Sequence, residues 1–317
     1  MVSYNIIALT STTAQLEATP SSGCLAAGDE VLLANLQGIS SAYGNTGNWE
    51  TLYISSISTD TITFTTSKTK YYGNTTSADD TNIGTATTNQ RVILQRIPQY
   101  TDVTVQSGGT ITADAWDGAE GGVLFFRATG TVEVQSGGSI SMTGKGYRGG
   151  GGTPSPLQGE SVTGTGSNSS SANIGGGGTG GCIPGAAGYG TAGSGVANGL
   201  HGDTYGSANL SDLHLGSGGG GNTCDANAGT DGGGIVFISG NTVTISGSIS
   251  NKGNDGSTIR NSAGSGGSVY LSAPNLTVGS SLVNAAGGDG AGQTTGGSGR
   301  IRLDYSSLAG TTSPSAG

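Results

Sequence analysis

Residues 216–234 read GSGGGGNTCDANAGTDGGG, and 64 of the 317 residues in the chain are glycine. Glycine loses more backbone freedom on folding than any other residue, so such a segment orders only where close backbone packing recovers the loss. Two states are open to it. One is a set of extended, left-handed three-residue helices packed side by side and joined by backbone hydrogen bonds; the other is a flexible Gly/Ser loop.

Wholesale disorder is disfavoured by the charge content. Low hydrophobicity gives disorder chiefly when it is paired with high charge, whereas here 10% of residues are charged and 32% are apolar. The apolar residues are also patterned. DEVLLANLQG, ETLYISSIS and DTITFTTSKTKYY are short, β-branched or aromatic, and separated by Gly, Asn, Ser and Asp clusters, which is how strands and turns alternate. After a loop at GNTTSADDTNIGTATTNQ, QRVILQRIPQY returns to strand before Pro98. No segment sustains a helical period. The predicted fold is all-β, with a small antiparallel domain over 1–100 followed by a repeat-built, β-solenoid-like domain over 101–317.

The repeat is explicit. VTVQSGGTIT (103–112) returns 29 residues later as VEVQSGGSIS (132–141), and in shortened form as VTISGSIS (243–250). A second element precedes it: GGVLFFRATG, GGIVFISGN, GGSVYLSAPN and a terminal SGRIRLDYS, with Phe237 and Tyr270 separated by 33 residues. Units of about 30 residues that cannot bury their own apolar face are expected to stack. Alternation places Val132, Val134, Val243 and Ile245 on one face of their strands. A Gly-rich insertion over about 149–232, with clusters at 149–152, 175–181 and 218–221, interrupts the series.

Charge narrows the partners. With a net charge of −9 and eleven Lys and Arg, no basic stripe exists to neutralise phosphates, so nucleic acid is not an expected partner. No apolar run reaches bilayer-spanning length, so membrane insertion is not expected, and MVSYNIIAL lacks the basic start and apolar centre of a leader. Cys24, Cys182 and Cys224 are odd in number and not at zinc spacing. The favoured reading is three reduced thiols in a protein assembled in a cytoplasm. The alternative pairs Cys182 with Cys224 across the Gly-rich region.

Catalytic constellations are sparse. DAWDGAE offers Asp114, Asp117 and Glu120 beside Trp116, which suits the paired carboxylates of a polysaccharide-cleaving enzyme. Three acids on a turn have no fixed geometry, however, and a polar turn with Trp116 covering the end of a layered core is the preferred reading. His201 and His214 lie near Asp203 and Asp212 without a nucleophile motif. GNDGST and GGDGAG echo calcium-binding repeats without the required run of matches. The expectation is therefore no enzyme, no metal and no cofactor. A binding reading has more to work with, because Tyr189, Leu200, His201, Tyr205, Leu210, Leu213, His214 and Leu215 cluster within the insertion, and Tyr147 and Arg148 stand at its entrance. Aromatic residues on rigid loops suit saccharide or protein surfaces. The receptor-binding candidates are Tyr147, Arg148, Tyr189, His201, Tyr205 and His214; the competing reading makes these residues anchors that hold the glycine segments onto the repeat.

GDEVLLANLQG, TLYISSISTDTITFT, KTKYYG, QRVILQRIPQYTDVTVQSGGTITADAWDGAEGGVLFFRATGTVEV, GKGYRGG and GGSGRIRLDYSSLAGTT together resemble Gly-rich proteins of tailed phages and of some bacterial surfaces. The overall plan is also similar to the Gly-rich tip adhesins of long tail fibres, although the Val/Ile strand repeats and longer intervening segments depart from them. The resemblance implies a structural, adhesive component of a virion tail, assembled in the host cytoplasm. Residues 1–100 would attach to other tail or fibre proteins, and Gly-rich loops would meet a host-surface saccharide or outer-membrane protein. A homo-oligomer, in the form of a trimer, fits the same picture. The alternatives are a bacterial extracellular fibril or cell-surface adhesin subunit, and a polysaccharide-degrading tailspike using Asp114, Asp117 and Glu120.

Overall fold

The computed structural model describes residues 2–74, 78–164, 166, 173–179, 182–195, 200–258 and 260–317. No helix forms among them, so none is long and apolar enough to cross a membrane. The chain divides into two units. Unit 1 comprises Met1–Pro98, Asp117–Gly121 and Val162–Gly164; unit 2 comprises Gln99–Trp116, Gly122–Ser161 and Thr165–Gly317.

Unit 1 is built on six strands: β1 (Ser3–Leu9), β2 (Thr13–Leu16), β3 (Glu30–Gln37), β4 (Trp49–Ser58), β5 (Thr61–Phe64) and β6 (Arg91–Arg96). All pairings are antiparallel, and the order β1-β2-β5-β4-β3-β6 closes into a barrel through the β1–β6 pair. Alternation gives the barrel its interior. Ala14 and Leu16, Val31 and Leu33, Leu52 and Ile54, Ile62 and Phe64, and Val92 and Leu94 all point into one core, as a period of two requires. A closed ring leaves no sheet edge exposed along its length. DTITFTTSKTKYY, read above as strand throughout, is strand only to Phe64. Beyond it Tyr72 turns into the core, wholly buried, and its hydroxyl donates to Glu50 Oε1 at 2.9 Å.

Unit 2 stacks the repeat in parallel. Its strands are β7 (Gln99–Tyr100), β8 (Val103–Val105), β9 (Thr110–Ile111), β10 (Val123–Ala128), β11 (Thr131–Val134), β12 (Ser139–Ser141), β13 (Ile235–Ser239), β14 (Thr242–Ile245), β15 (Ser248–Ser250), β16 (Ser268–Ser272), β17 (Asn275–Asn284), β18 (Asp289–Gly290), β19 (Thr294–Thr295), β20 (Arg300–Asp304) and β21 (Ser307–Ser313). One sheet runs β20-β16-β13-β10-β7, and another runs β8-β11-β14-β17-β15-β12-β9 with β21 on β17.

The 29- and 33-residue shifts seen in the sequence are the register. Val105 pairs with Val134, and Phe237 with Tyr270. The register also survives the insertion, because Phe125 lies beside Phe237, 112 positions later. In the shortened copy the turn between β14 and β15 loses two residues, yet Val134 still faces Ile245 and Ile140 still faces Ile249. Val132, Val134, Val243 and Ile245 share one apolar cluster with Leu124, Phe126, Val236, Ile238, Val269 and Leu271, so both sheets contribute to a single core. On the opposite face of β10, β13 and β16, the rings of Phe125, Phe237 and Tyr270 follow one another at centroid distances of 4.0 and 4.3 Å.

The glycine segments are joined by backbone hydrogen bonds. Gly216 and Gly219 donate to Gly233 and Thr230, Gly218 and Gly221 donate to Glu160 and Leu157, and Gly220 donates to Gly185. The same three-residue spacing recurs where Gly185 and Gly188 donate to Gly178 and Gly175, and where Gly296 and Gly299 donate to Gly288 and Ala285. A Cβ at Gly218, Gly220 or Gly221 would fall on the carbonyl oxygen of Arg148, Gly178 or Gly151, so only glycine fits these crossings.

Candidate functional site

Most of the candidate binding residues in the insertion form an interior cluster. Tyr189 and Tyr205 stack obliquely at 4.6 Å, and the imidazole of His214 meets the two rings edge-on at 6.1 and 5.3 Å. Tyr189 is wholly buried and His214 nearly so, while Tyr205 is partly covered. The polar tips are tied down. The Tyr189 hydroxyl lies 2.7 Å from Ser268 Oγ, which donates to the His214 carbonyl at 2.6 Å, and the Tyr205 hydroxyl donates to Leu215 O at 2.6 Å. The Arg300 guanidinium lies over the Tyr189 ring at 5.4 Å and donates to Tyr205 O at 2.7 Å.

Burial pushes the Tyr189 hydroxyl up to about 12 and the Tyr205 hydroxyl well above its ordinary range, because a phenolate there would lose its water. It lowers His214 to about 4; Asp212 opposes that shift and Arg300 assists it. His214 Nδ1 has no hydrogen-bond partner. Tyr147 is wholly buried, edge-on to Trp116 at 5.9 Å. These positions fit anchors, since an outside partner cannot reach Tyr147, Tyr189 or His214 without unpacking the unit.

Arg148 and His201 reach the surface. The Arg148 side chain is 47% exposed and its Nε binds Glu160 Oε2 at 3.0 Å. Glu160 is buried and also accepts the Trp116 Nε1–H at 3.1 Å and the Arg148 backbone N–H at 3.0 Å. The His201 side chain is 34% exposed, with Nδ1 4.0 Å from the open carboxylate of Asp203. The structure thus brings Tyr189, Tyr205 and His214 together, places Tyr147 and Arg148 around Glu160, and leaves His201 apart.

Two of the three acids of DAWDGAE have structural partners, and Asp114 is exposed. Asp117 Oδ1 accepts the backbone N–H groups of Ala119 and Glu120 at 2.8 and 2.9 Å, and Glu120 Oε2 accepts the Ser3 hydroxyl at 3.1 Å. Trp116 is buried. Among the described residues, no three His, Cys, Asp or Glu side chains come together as a metal set.

The reading of three reduced thiols is corrected. Cys182 and Cys224 form a disulfide, with Cα atoms 5.0 Å apart across 42 positions, and Cys24 is free. Asn222 explains the pairing, because its Nδ2 donates to Cys182 O at 2.9 Å while its Oδ1 accepts the Cys224 N–H. One amide therefore holds both cysteine backbones, a relation that spacing along the chain does not reveal.

One group escaped the sequence reading. Tyr53 and Tyr71 lie on the surface of unit 1, 53% and 42% exposed, and Trp49 is half-buried with its indole nitrogen inside. The signal was present in WETLYIS, whose alternation puts Trp49, Thr51 and Tyr53 on the face opposite Leu52 and Ile54.

No protein-family model matches the chain, and no curated protein matches it. Among solved structures, the crystal structure of the tailspike protein gp49 from Pseudomonas phage LKA1 aligns with 98% of this chain at 14% identity and a TM-score of 0.22. The chain spans 61% of the length of that tailspike. A score this low does not establish a shared fold.

Proposed function

We propose that the chain is a non-enzymatic structural and adhesive component of an extracellular assembly, of the kind found in phage tail fibres and tips. In this reading the parallel stack of unit 2 is a β-solenoid, and its glycine segments form a lattice of polyglycine-II-like helices. The three-residue spacing of the hydrogen bonds donated by Gly216, Gly218, Gly219 and Gly221 carries the reading, because an extended helix with three residues per turn meets the same neighbour at every third residue. Such a scaffold is rigid without side chains. The loops between its segments are then free to face a host surface, with Arg148 and His201 among the groups that reach solvent. Unit 1 attaches to neighbouring proteins of the assembly, and copies associate, as a trimer in the tail-fibre case.

The test is binding of fluorescently labelled protein to intact bacterial cells, paired with incubation on purified envelope polysaccharide. Saturable cell binding without new reducing or unsaturated ends supports the proposal. Release of fragments that Asp117→Asn abolishes overturns it in favour of a degrading tailspike.

A further inference from the structure

Unit 1 devotes an unusual number of polar contacts to one irregular loop. After β5 the chain has no strand pairing from Thr65 to Tyr72, yet Glu50 on β4 holds it at four points. Its carboxylate accepts the N–H of Thr69 at 2.9 Å, the N–H of Lys70 at 3.0 Å, the Thr69 hydroxyl at 3.0 Å and the Tyr72 hydroxyl at 2.9 Å. Asp80 accepts the Tyr72 N–H at 3.0 Å and pairs with the ammonium of Lys68, whose side chain is 3% exposed. Asn48 Nδ2 donates to Tyr71 O at 2.8 Å. Irregular backbone normally drifts; here it is fixed, and what it fixes in the open is an aromatic ring.

That ring is backed on one side. Lys68 Nζ lies 4.6 Å from the Tyr71 centroid, while Tyr71 remains 42% exposed. Trp49 is adjacent, since Asn48 precedes it and Lys70 Nζ lies 6.0 Å from its ring centroid. Tyr53 shares the outward face of β4 with Trp49, four residues along, which is about 13 Å at the rise of an antiparallel strand. The β3–β4 register runs without a bulge from Ala34↔Trp49 to Glu30↔Tyr53, so the two rings are set by a regular ladder. Two exposed tyrosine rings, and the half-buried Trp49 beside them, are thus carried by a closed barrel and a pinned loop.

We propose that Tyr53 and Tyr71, beside the half-buried Trp49, form a binding platform for a saccharide chain, the two exposed rings each stacking on the C–H face of a pyranose. Rigid aromatic rings contribute contact area at small entropic cost, and they hold a polar exterior and an apolar face side by side. A linear glycan presents the same alternation, with apolar ring faces at regular intervals and hydroxyls at the edges. Glu50 is a positioning residue, which acts through the loop it holds. This inference goes beyond the proposed function, which places the contact loops on unit 2; attachment of unit 1 to other proteins then uses another side of the barrel.

The test is direct because the chain has two tryptophans and Trp116 is buried. Full-length protein is screened on an array of bacterial capsular, O-antigen and cell-wall oligosaccharides, and the strongest binder is titrated while tryptophan emission is followed. The expected result is saturable binding with a change in Trp49 emission. Tyr53→Ala and Tyr71→Ala, both at exposed positions, should each weaken binding about tenfold or more, while Tyr100→Ala, exposed in unit 2, leaves it unchanged. Absence of binding to every glycan overturns the platform, and so does undiminished affinity in the Tyr53→Ala/Tyr71→Ala double variant. A double variant that loses glycan binding but still binds cells supports both the platform and the proposed function, whereas one that keeps full glycan affinity and cell binding overturns the platform and leaves the proposed function standing.

Discussion

His214 is held neutral among Tyr189, Tyr205, Asp212 and Arg300, and its titration should be visible in the stability of unit 2. Burial, assisted by Arg300, lowers it to about 4 from an ordinary 6.5, so between those values the unfolded chain binds the proton that the folded one refuses. Stability is therefore full above pH 6.5 and falls as pH drops toward 4, by about 3 kcal/mol for a shift of that size. Thermal unfolding followed from pH 7 to 4 should show this slope, and His214→Gln should flatten it relative to the parent. Glu160 is a second sensitive position, since one buried carboxylate serves Arg148, Trp116 and a backbone N–H. Glu160→Gln should cost about 1–3 kcal/mol in chemical denaturation. Sequence reasoning found the members of the aromatic cluster as a group, but aromatic content does not say whether a ring faces a partner or an interior. Only what the rings meet in the fold separates the two: Ser268 at the Tyr189 hydroxyl, Leu215 and Ser217 at the Tyr205 hydroxyl, and Arg300 over the Tyr189 ring.

Strands and glycine segments differ in how they are written into the chain. The strands of unit 2 were legible because their side chains alternate and their copies keep a fixed shift, so that Val103, Val132 and Val243 announce the register in which they stack. The closure of β1 to β6 was not legible, because nothing local distinguishes a barrel from an open sheet. The glycine segments were legible only as a choice between two states, since their contacts are made by backbone that every residue shares. Their packing nonetheless makes position-specific demands. Gly150 and Gly151 are neighbours in one run, yet a Cβ at Gly150 would fall on Leu157 O while one at Gly151 meets nothing closer than 3.6 Å. Gly150→Ala should destabilise by about 1–3 kcal/mol, and Gly151→Ala by less than about 0.5 kcal/mol, in parallel denaturation curves. Amide hydrogen exchange across Gly216–Gly221 should be slow, because these N–H groups are bonded and buried; rapid exchange would mean the segments are loops.

Across the whole molecule the two units have different sources of stability. Unit 1 relies on a closed apolar core, while unit 2 adds a covalent tie across 42 positions. Closing a loop of that length stabilises by about 2–4 kcal/mol through the unfolded chain. Reduction should therefore lower the melting temperature of unit 2 and leave that of unit 1 unchanged, which calorimetry with and without dithiothreitol can read as a shift in one transition only. The parallel pairing of Phe125 with Phe237 carries a further consequence, one of time. A strand cannot find a neighbour that has not yet been made, and here the neighbour follows 112 residues later. Contacts of such long range are the slow ones in folding. During synthesis β10 must wait with one flank uncovered while the entire glycine-rich stretch emerges, so the length of that stretch sets how long the core stays unfinished.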